Sequence, residues 1–463
     1  GLVNIHDFHK LKRSVNRVGP EDLRTLVCEL QTITPILGGG TSNRQVDEVD
    51  FIRVPGVRSQ LRQWFRAVFA HRYDTTKELY EAERSLWGGM CDQKAKASCV
   101  CIQIELVTSK KEIEVDRGQL DYNVPGFYAM WPARGTKEDR PAPRIHEGVT
   151  FRLHLTYPDT RRDEVEKSLK AWILFGGYGS RTRRGCGSFM LLSLKNDSGE
   201  DLPLSDWLPS GKGFSAERLI PELRRLLGDD LFRPDARLNR DFGSLYGASC
   251  CVGLPGPKGK HKWIESIDWL GNFRQQPANY VGDPYFARAP GRQRNRPGRS
   301  RWPEPDKLRR ISREPRGGWD HEPRHNDRIV WPRASFGLPI NGRFAGRGEP
   351  RPFELQWKDK EGKEHSRLAS PLILKAMPLD NGQFVPIALW LDRRYPDEGK
   401  ICLAKKDSRV SRSEADFDEL VAPEDTARFA PLAHGQNASS GQRMQEAFFH
   451  WLQHRNLAVE AIR

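Results

Sequence analysis

The first 195 residues predict an α+β domain, and three observations predict it. Four short stretches read as strands, two of them by apolar residues that recur at every second position, and in two other stretches apolar residues recur every three or four residues. The two kinds of stretch follow one another as β-α-β-β-α-β. That order is the split βαβ, or ferredoxin-like, unit, whose open sheet also serves as the RRM platform for single-stranded RNA.

The first strand is predicted over Leu23–Thr34, where Leu26, Cys28 and Leu30 alternate with Val27, Glu29 and Gln31; Pro35 and Gly38-Gly39-Gly40 end it. A helix follows over Val57–Tyr73, with Val57, Leu61, Trp64, Phe65, Val68 and Phe69 on one face. Cys99–Leu106 and Val149–Tyr157 read as strands, and the polar, Pro/Gly-punctuated stretch between them as a long hairpin. Val165, Leu169, Trp172 and Ile173 line a second helix over Asp163–Phe175. Ser188–Leu194 is the closing strand.

Lys195–Gly213 is polar and turn-rich and reads as a linker, which divides the chain into domains 1–195 and 214–463. The second domain carries helical patterns at Ala216–Leu227, Trp263–Phe273 and Ser440–Arg455. Its strand patterns lie at Phe353–Trp357, Leu372–Leu379 and Phe384–Leu391. It is expected to be α+β as well, but more irregular, with a Pro/Arg-rich insertion over Arg288–Arg351.

Across 463 residues, 75 Lys and Arg outnumber 61 Asp and Glu, for a net charge of +14. Such an excess favours a polyanionic partner: RNA, DNA or an acidic membrane surface. Most of it is local, since Arg288–Arg351 holds 17 basic residues against 7 acidic ones. No apolar run approaches the roughly 18 residues a membrane span needs, and Gly1–Arg13 has no apolar block behind its charge, so a cytoplasmic protein without a membrane partner is expected. The eight cysteines include no CxxC pair, which argues against a zinc ribbon or a disulfide framework and for reduced thiols.

Four motifs could carry chemistry. Arg58, Arg62 and Arg66 stand at i, i+4 and i+8 on the first helix, where like charges repel; a bound phosphate would relieve this, and so would nearby acids such as Glu81 and Glu83. Phe175–Phe189 contains five glycines, among them Gly177, Gly179, Gly185 and Gly187, interspersed with Arg181, Arg183 and Arg184. A loop of this composition can track a sugar-phosphate backbone, and it is neither a Walker loop nor a Rossmann turn. In Arg288–Arg351, Trp302, Trp319 and Trp331 lie among the arginines, a composition that suits base stacking or a plain flexible insertion. His321-Glu-Pro-Arg-His325 matches HExxH, but Pro323 would interrupt the helix on which zinc ligation depends, so no metal is expected. His71, at the end of the arginine-bearing helix, is the best placed general acid or base, and an ordinary capping histidine is the competing reading.

Three sets of residues together resemble the RAMP superfamily (repeat-associated mysterious proteins) of CRISPR effector complexes, and within it the first-numbered RAMP subunits of type III-B, or Cmr, complexes. The first is Ile33-Thr-Pro-Ile-Leu-Gly-Gly-Gly40 with Val57-Arg-Ser-Gln-Leu-Arg-Gln-Trp-Phe-Arg66, where Ser59 stands in place of the family's glycine, and Glu83-Arg-Ser-Leu-Trp-Gly88. The second is the glycine-rich loop Gly176–Gly187. The third is Gly298-Arg-Ser-Arg-Trp-Pro-Glu-Pro-Asp306, Phe336-Gly-Leu-Pro339 and Arg367-Leu-Ala-Ser-Pro-Leu372.

The resemblance implies tandem ferredoxin-like domains, no cofactor and no catalytic residues. It implies a place near one end of a ribonucleoprotein, where the chain would meet the 3′ portion of the guide RNA or the target RNA and neighbouring RAMP subunits. The expected RNA-binding residues are Arg58, Arg62, Arg66, Gly177, Gly179, Arg181, Arg183, Arg184, Gly185, Gly187, Arg299 and Trp302. The alternatives are a sister RAMP subunit, a metal-independent endoribonuclease that processes CRISPR transcripts, using His71, and a scaffold whose basic surface meets acidic proteins.

Overall fold

Ten residues of β1 (Leu23–Thr32) form the centre of the first sheet, and their burial alternates: Leu26, Cys28 and Leu30 point into the core, while Val27, Glu29 and Gln31 lie on the opposite face. The computed structural model describes residues 22–42, 44–91, 94–238, 240–275, 283, 285–289, 299–312, 331–344, 349–350, 352–359, 361–394, 400–403, 430–433 and 440–462. The described residues fall into two compact units. One takes those up to Ile267, Ile373–Asp392 and those from Ala461 onward; the other takes those of Asp268–Leu372 and Arg393–Glu460.

After β1 and the short β2 (Ile36–Leu37) comes helix α1 (Val54–Phe69). Pro55 sits in its first turn, where the missing N–H costs nothing. Helix α2 (Thr76–Trp87) follows, N-capped by the Thr75 side chain, which accepts from Glu78 N–H. The hairpin β3 (Gly89–Cys91) and β4 (Lys94–Lys96) then leads to β5 (Cys101–Leu106). Neither α2 nor this hairpin is among the sequence expectations.

The stretch read as a long hairpin is broken up by Pro125, Pro132, Pro141 and Pro143, none of which can donate to a ladder. It supplies β6 (Val115–Asp116), the one-turn α3 (Phe127–Met130) and β7 (Arg144–Ile145). These two strands form a small sheet with β2, in the order β2-β7-β6.

Strand β8 (Thr150–Pro158), helix α4 (Arg162–Phe175) and strand β9 (Phe189–Lys195) complete the first sheet. Its order is β5-β8-β1-β9 and every pairing is antiparallel. This is the ferredoxin-like order, with α1 and α4 covering one face: Val57, Leu61, Trp64 and Phe65 of α1 and Val165, Leu169 and Trp172 of α4 share a core with Leu26, Leu30, Phe151 and Leu153.

Residues 195–213 pack against the unit: Leu202 N–H donates to Leu194 O, and Trp207 and Leu208 are buried. Helix α5 (Ala216–Leu227) buries Leu219, Ile220, Leu223, Leu226 and Leu227. Next come β10 (Ser244–Val252) and α6 (Gly259–Gln275).

In the second unit, α7 (Glu304–Ser312) lies beside a small sheet of β11 (Ile340–Gly342), β12 (Phe353–Lys358) and β13 (Glu364–His365). Leu308, Trp331, Leu338, Ile340, Leu355 and Leu368 form its core.

Strands β14 (Leu372–Pro378) and β15 (Phe384–Asp392) return to the first unit, where the order β14-β15-β10 repeats the second-third-first arrangement of the first sheet. Ala461 N–H donates to Cys250 O on the free side of β10. The protein is therefore α+β with a tandem ferredoxin-like topology. Every residue of β14 and β15 is buried, which explains their continuous apolar runs. Further described elements of the second unit include β16 (Lys400–Leu403), which pairs with β12, and helix α8 (Ser440–His454).

Candidate nucleic-acid interface

The arginine ridge of α1 is organised by a carboxylate on α2. Arg62 Nε and Arg66 Nη1 both donate to Glu83 Oε1, each at 2.8 Å, and the Glu83 side chain is 1% exposed, whereas Arg62 and Arg66 keep 32% and 25%. One buried acid therefore fixes two partly exposed guanidiniums, with a net positive charge. Of the two acids the sequence offers as neutralising partners, it is Glu83, and not Glu81, that the fold brings under the ridge. Arg58 is held differently: its Nη1 donates to Ser98 Oγ at 2.6 Å, Val100 O at 3.1 Å and Trp87 O at 3.3 Å. Burial lowers its pKa, and the neighbouring Arg62 charge acts in the same direction. Arg58 thus ties α1 to the start of β5.

The glycine-rich loop between α4 and β9 is largely packed into the protein. Tyr178 N–H donates to Gly187 O, Ser180 N–H to Leu37 O and Gly187 N–H to Pro35 O. Thr34 Oγ1 donates to Gly185 O at 2.6 Å and accepts from Ser188 N–H. A Cβ at Gly177 would lie 2.8 Å from both Cys186 O and Gly187 O, and one at Gly187, where φ is +66°, would collide with Tyr178 O. The space that a close RNA approach would require at Gly177, Gly185 and Gly187 is taken by this chain's own backbone and by Trp263.

Exposure in the loop is confined to Gly179–Arg183. Arg181, at φ +59°, donates from Nε to Ala129 O. Arg184 is buried, with Nη1 near Arg183 O, and its carbonyl accepts from Trp263 Nε1 at 2.6 Å. Arg183 is half-buried and likewise engaged within the chain.

Beneath the loop sits a lysine the sequence reading passed over. Lys375 of β14 is fully buried and donates from Nζ to Gly176 O at 2.9 Å, at the C-terminal end of α4. Desolvation pushes its pKa down to about 7. Burial also raises the Cys186 thiol, to about 12, so that thiol stays protonated.

The open face of the first sheet differs from an RRM platform. Its outward residues include Glu29, Gln31, Gln103, Glu105, Arg152 and His154, with Arg152 and His154 each 3.2 Å from a Glu105 oxygen. Carboxylates repel phosphate, and the two groups named here that could stack on a base, the His154 ring and the Arg152 guanidinium, are both paired with Glu105, so this face is unlike the aromatic-studded RRM platform.

In the second unit Arg299 donates from Nη2 to Asp306 Oδ1 at 2.6 Å, and Asp306 is also bound by Arg309, which pairs with Glu349. Trp302 is 1% exposed, lies edge-on to Phe273 and donates its indole N–H to Arg274 O. Arg299 and Trp302 thus sit in a packed ionic and aromatic cluster; base stacking on Trp302 would require it to leave that cluster. Trp331 is buried as well. Trp319 and His321–His325 lie outside the described residues.

His71 Nε2 pairs with Asp230 Oδ2, and its ring stacks on Tyr246 at 5.2 Å. Burial works against ionisation of Asp230, but the hydrogen bond and charge of His71 hold its pKa below the ordinary carboxylate value. The imidazole fastens the end of α1 to the 229–232 turn. Among the described residues no group of three or more His, Cys, Asp or Glu is arranged to hold a metal, and no helix is long and apolar enough to cross a membrane.

Residues 29–190, the segment that runs from the end of β1 through the arginine ridge and the glycine-rich loop, match the RAMP superfamily. That segment is 162 of the chain's 463 residues. The chain is 28% identical over 184 residues to the CRISPR system Cmr subunit Cmr1-1 of Pyrococcus furiosus, a match covering 38% of this chain and 52% of the relative. It spans about half the length of that relative. Among solved structures, apo Cmr1 from Pyrococcus furiosus aligns with a TM-score of 0.48 at 15% identity, covering 88% of this chain and 96% of the other. A chain of the type III-B Cmr-beta complex bound to cognate target RNA aligns with a TM-score of 0.42 at 12% identity, covering 85% and 98%.

Sequence reasoning offered Glu81 and Glu83 alike as partners of the ridge, and it missed the helix that carries Glu83 and, on the same helix, Tyr80. A signal was present: Thr75 and Glu78 form an N-cap spacing, and Leu79, Glu83, Leu86 and Trp87 recur at helical intervals.

Proposed function

We propose that the chain is a non-catalytic RNA-binding and scaffolding subunit of a type III-B CRISPR ribonucleoprotein, near one end of the complex, in contact with the 3′ region of the guide RNA or with target RNA and with neighbouring RAMP subunits. The observation that carries the RNA contact is the Arg62–Glu83–Arg66 arrangement inside the RAMP-matching segment. A solvent-facing pair of guanidiniums whose geometry is already fixed binds phosphate without first giving up side-chain freedom. Arg183 and the loop tip Gly179–Arg181 extend the same reading as secondary contacts. The similarity to a Cmr subunit supports placing these contacts in a Cmr-type assembly.

The test is binding of a labelled guide-length RNA by the full chain across a salt series. Replacing both Arg62 and Arg66 by Ala is expected to weaken binding at least about tenfold and to lower the salt slope by about 1.4, two phosphates on a single strand. Unchanged affinity and slope would remove the ridge from the interface.

A further inference from the structure

Tyr80 stands on α2 one turn before Glu83 and is 38% exposed, one of few large apolar side chains on the described surface. The Arg66 guanidinium lies over its ring, 5.9 Å from the centroid. Arg66 therefore has two neighbours: the buried Glu83 carboxylate, 2.8 Å from Nη1, and the Tyr80 ring. Arg62, held by the same carboxylate oxygen, has its outer Nη atoms against Gly89: a Cβ there would lie 3.1 Å and 3.3 Å from Nη2 and Nη1. The described contacts use one N–H of each guanidinium on Glu83, out of the five an arginine carries.

The parts needed to hold one nucleotide are thus side by side: fixed cations for a phosphate and an aromatic ring next to one of them. A cation over one face of a tyrosine polarises the ring, and bases stack on such rings with little regard to sequence. An acidic peptide would satisfy the arginines but gives no account of an exposed ring sharing Arg66. Arg58, one turn back on the ridge, is held by three oxygens and takes no part.

We infer that the α1–α2 ridge holds a single unpaired nucleotide of bound RNA, its phosphate against Arg62 and Arg66 and its base stacked on Tyr80, with Glu83 as the positioning residue. The inference rests on the RNA-binding reading above and adds a base-stacking subsite to it.

The experiment measures affinity of the full chain for guide-length RNAs in which one base at a time is removed, leaving the ribose-phosphate backbone intact. For the natural protein, one abasic position is expected to weaken binding about five- to tenfold, and Tyr80→Ala should weaken binding to intact RNA by the same factor. In Tyr80→Ala that abasic penalty should vanish, because the lost base and the lost ring are the same contact. Tyr80→Phe keeps the ring and should bind nearly as the natural protein does. Since Tyr80 is partly exposed, the melting temperature of each variant should stay unchanged, which separates a lost subsite from a lost fold.

Tyr80→Ala binding as tightly as the natural protein, while Arg62→Ala with Arg66→Ala binds weakly, would overturn the subsite and leave the RNA-binding reading standing. An abasic penalty that persists in Tyr80→Ala would overturn it too. So would competition by poly-glutamate that matches RNA of equal charge and is weakened by Tyr80→Ala, which would point to a protein partner. No RNA binding by the natural protein would overturn both readings.

Discussion

The α1 ridge and the Arg288–Arg351 segment are both rich in arginine, and the structure treats the ridge and the described arginines of the segment oppositely. On the ridge, one buried carboxylate serves Arg62 and Arg66 together, and both keep a quarter to a third of their surface in water. In the segment, Arg299, Arg309 and Arg333 meet Asp306, Glu349 and Glu304, all three acids nearly inaccessible. The lesson is that a count of basic residues overstates the charge presented to a partner wherever even a few acids are buried among them. Three of the segment's seven acidic residues are consumed in this way. The glycine-rich loop lies between these extremes, with Arg181 and Arg184 tethered to the chain's own carbonyls.

Several changes would break or sharpen that contrast. The largest effect is expected in the loop: Gly187→Ala places a Cβ against Tyr178 O at a left-handed backbone position, and should lower stability by about 3 kcal/mol or more, read as a shift in the urea midpoint. If stability barely changes, the loop is not packed as described. Next comes Glu83→Ala, which removes the acid shared by two arginines and is expected to cost about 2–3 kcal/mol; Glu83→Gln, which keeps an acceptor, should cost less. In the segment, Arg299→Ala should lower stability by about 1–2 kcal/mol while leaving RNA affinity and salt slope unchanged, the reverse of the pattern on the ridge. Loss of RNA affinity without loss of stability would restore Arg299 to the interface.

A pH-dependent effect, smaller per pH unit, belongs to Lys375. Its folded-state pKa, near 7, is below the ordinary value of 10.5, so between those two pH values the unfolded chain holds the extra proton. Stability should then rise with pH across that window, with a slope of at most about 1.4 kcal/mol per unit. Lys375→Met should flatten the rise. A rise that persists in that variant would assign it to another group.

Much of the fold was legible in the sequence because its elements are long and periodic. The alternation of Leu26, Cys28 and Leu30 and the stripe of Val57, Leu61, Trp64 and Phe65 repeat with the period of the backbone they occupy, and the aperiodic glycines after Phe175 mark the loop by composition alone. The 107–148 stretch was misread because short strands between prolines carry too few residues to show a period. Helix α2 was passed over although its cap and spacing were present.

For the candidate site, the sequence by itself determined that Arg58, Arg62 and Arg66 share a helical face and that a glycine-rich turn with three arginines follows α4. Only the tertiary structure decided which of these face water. Exposure depends on what other segments bring: Ser98 and Val100 to Arg58, Glu83 to Arg62 and Arg66, Pro35 and Trp263 to the loop, Asp306 to Arg299. Such partners are set by chain packing across tens of residues, whereas helical and strand periodicity is set by neighbours within a turn or two.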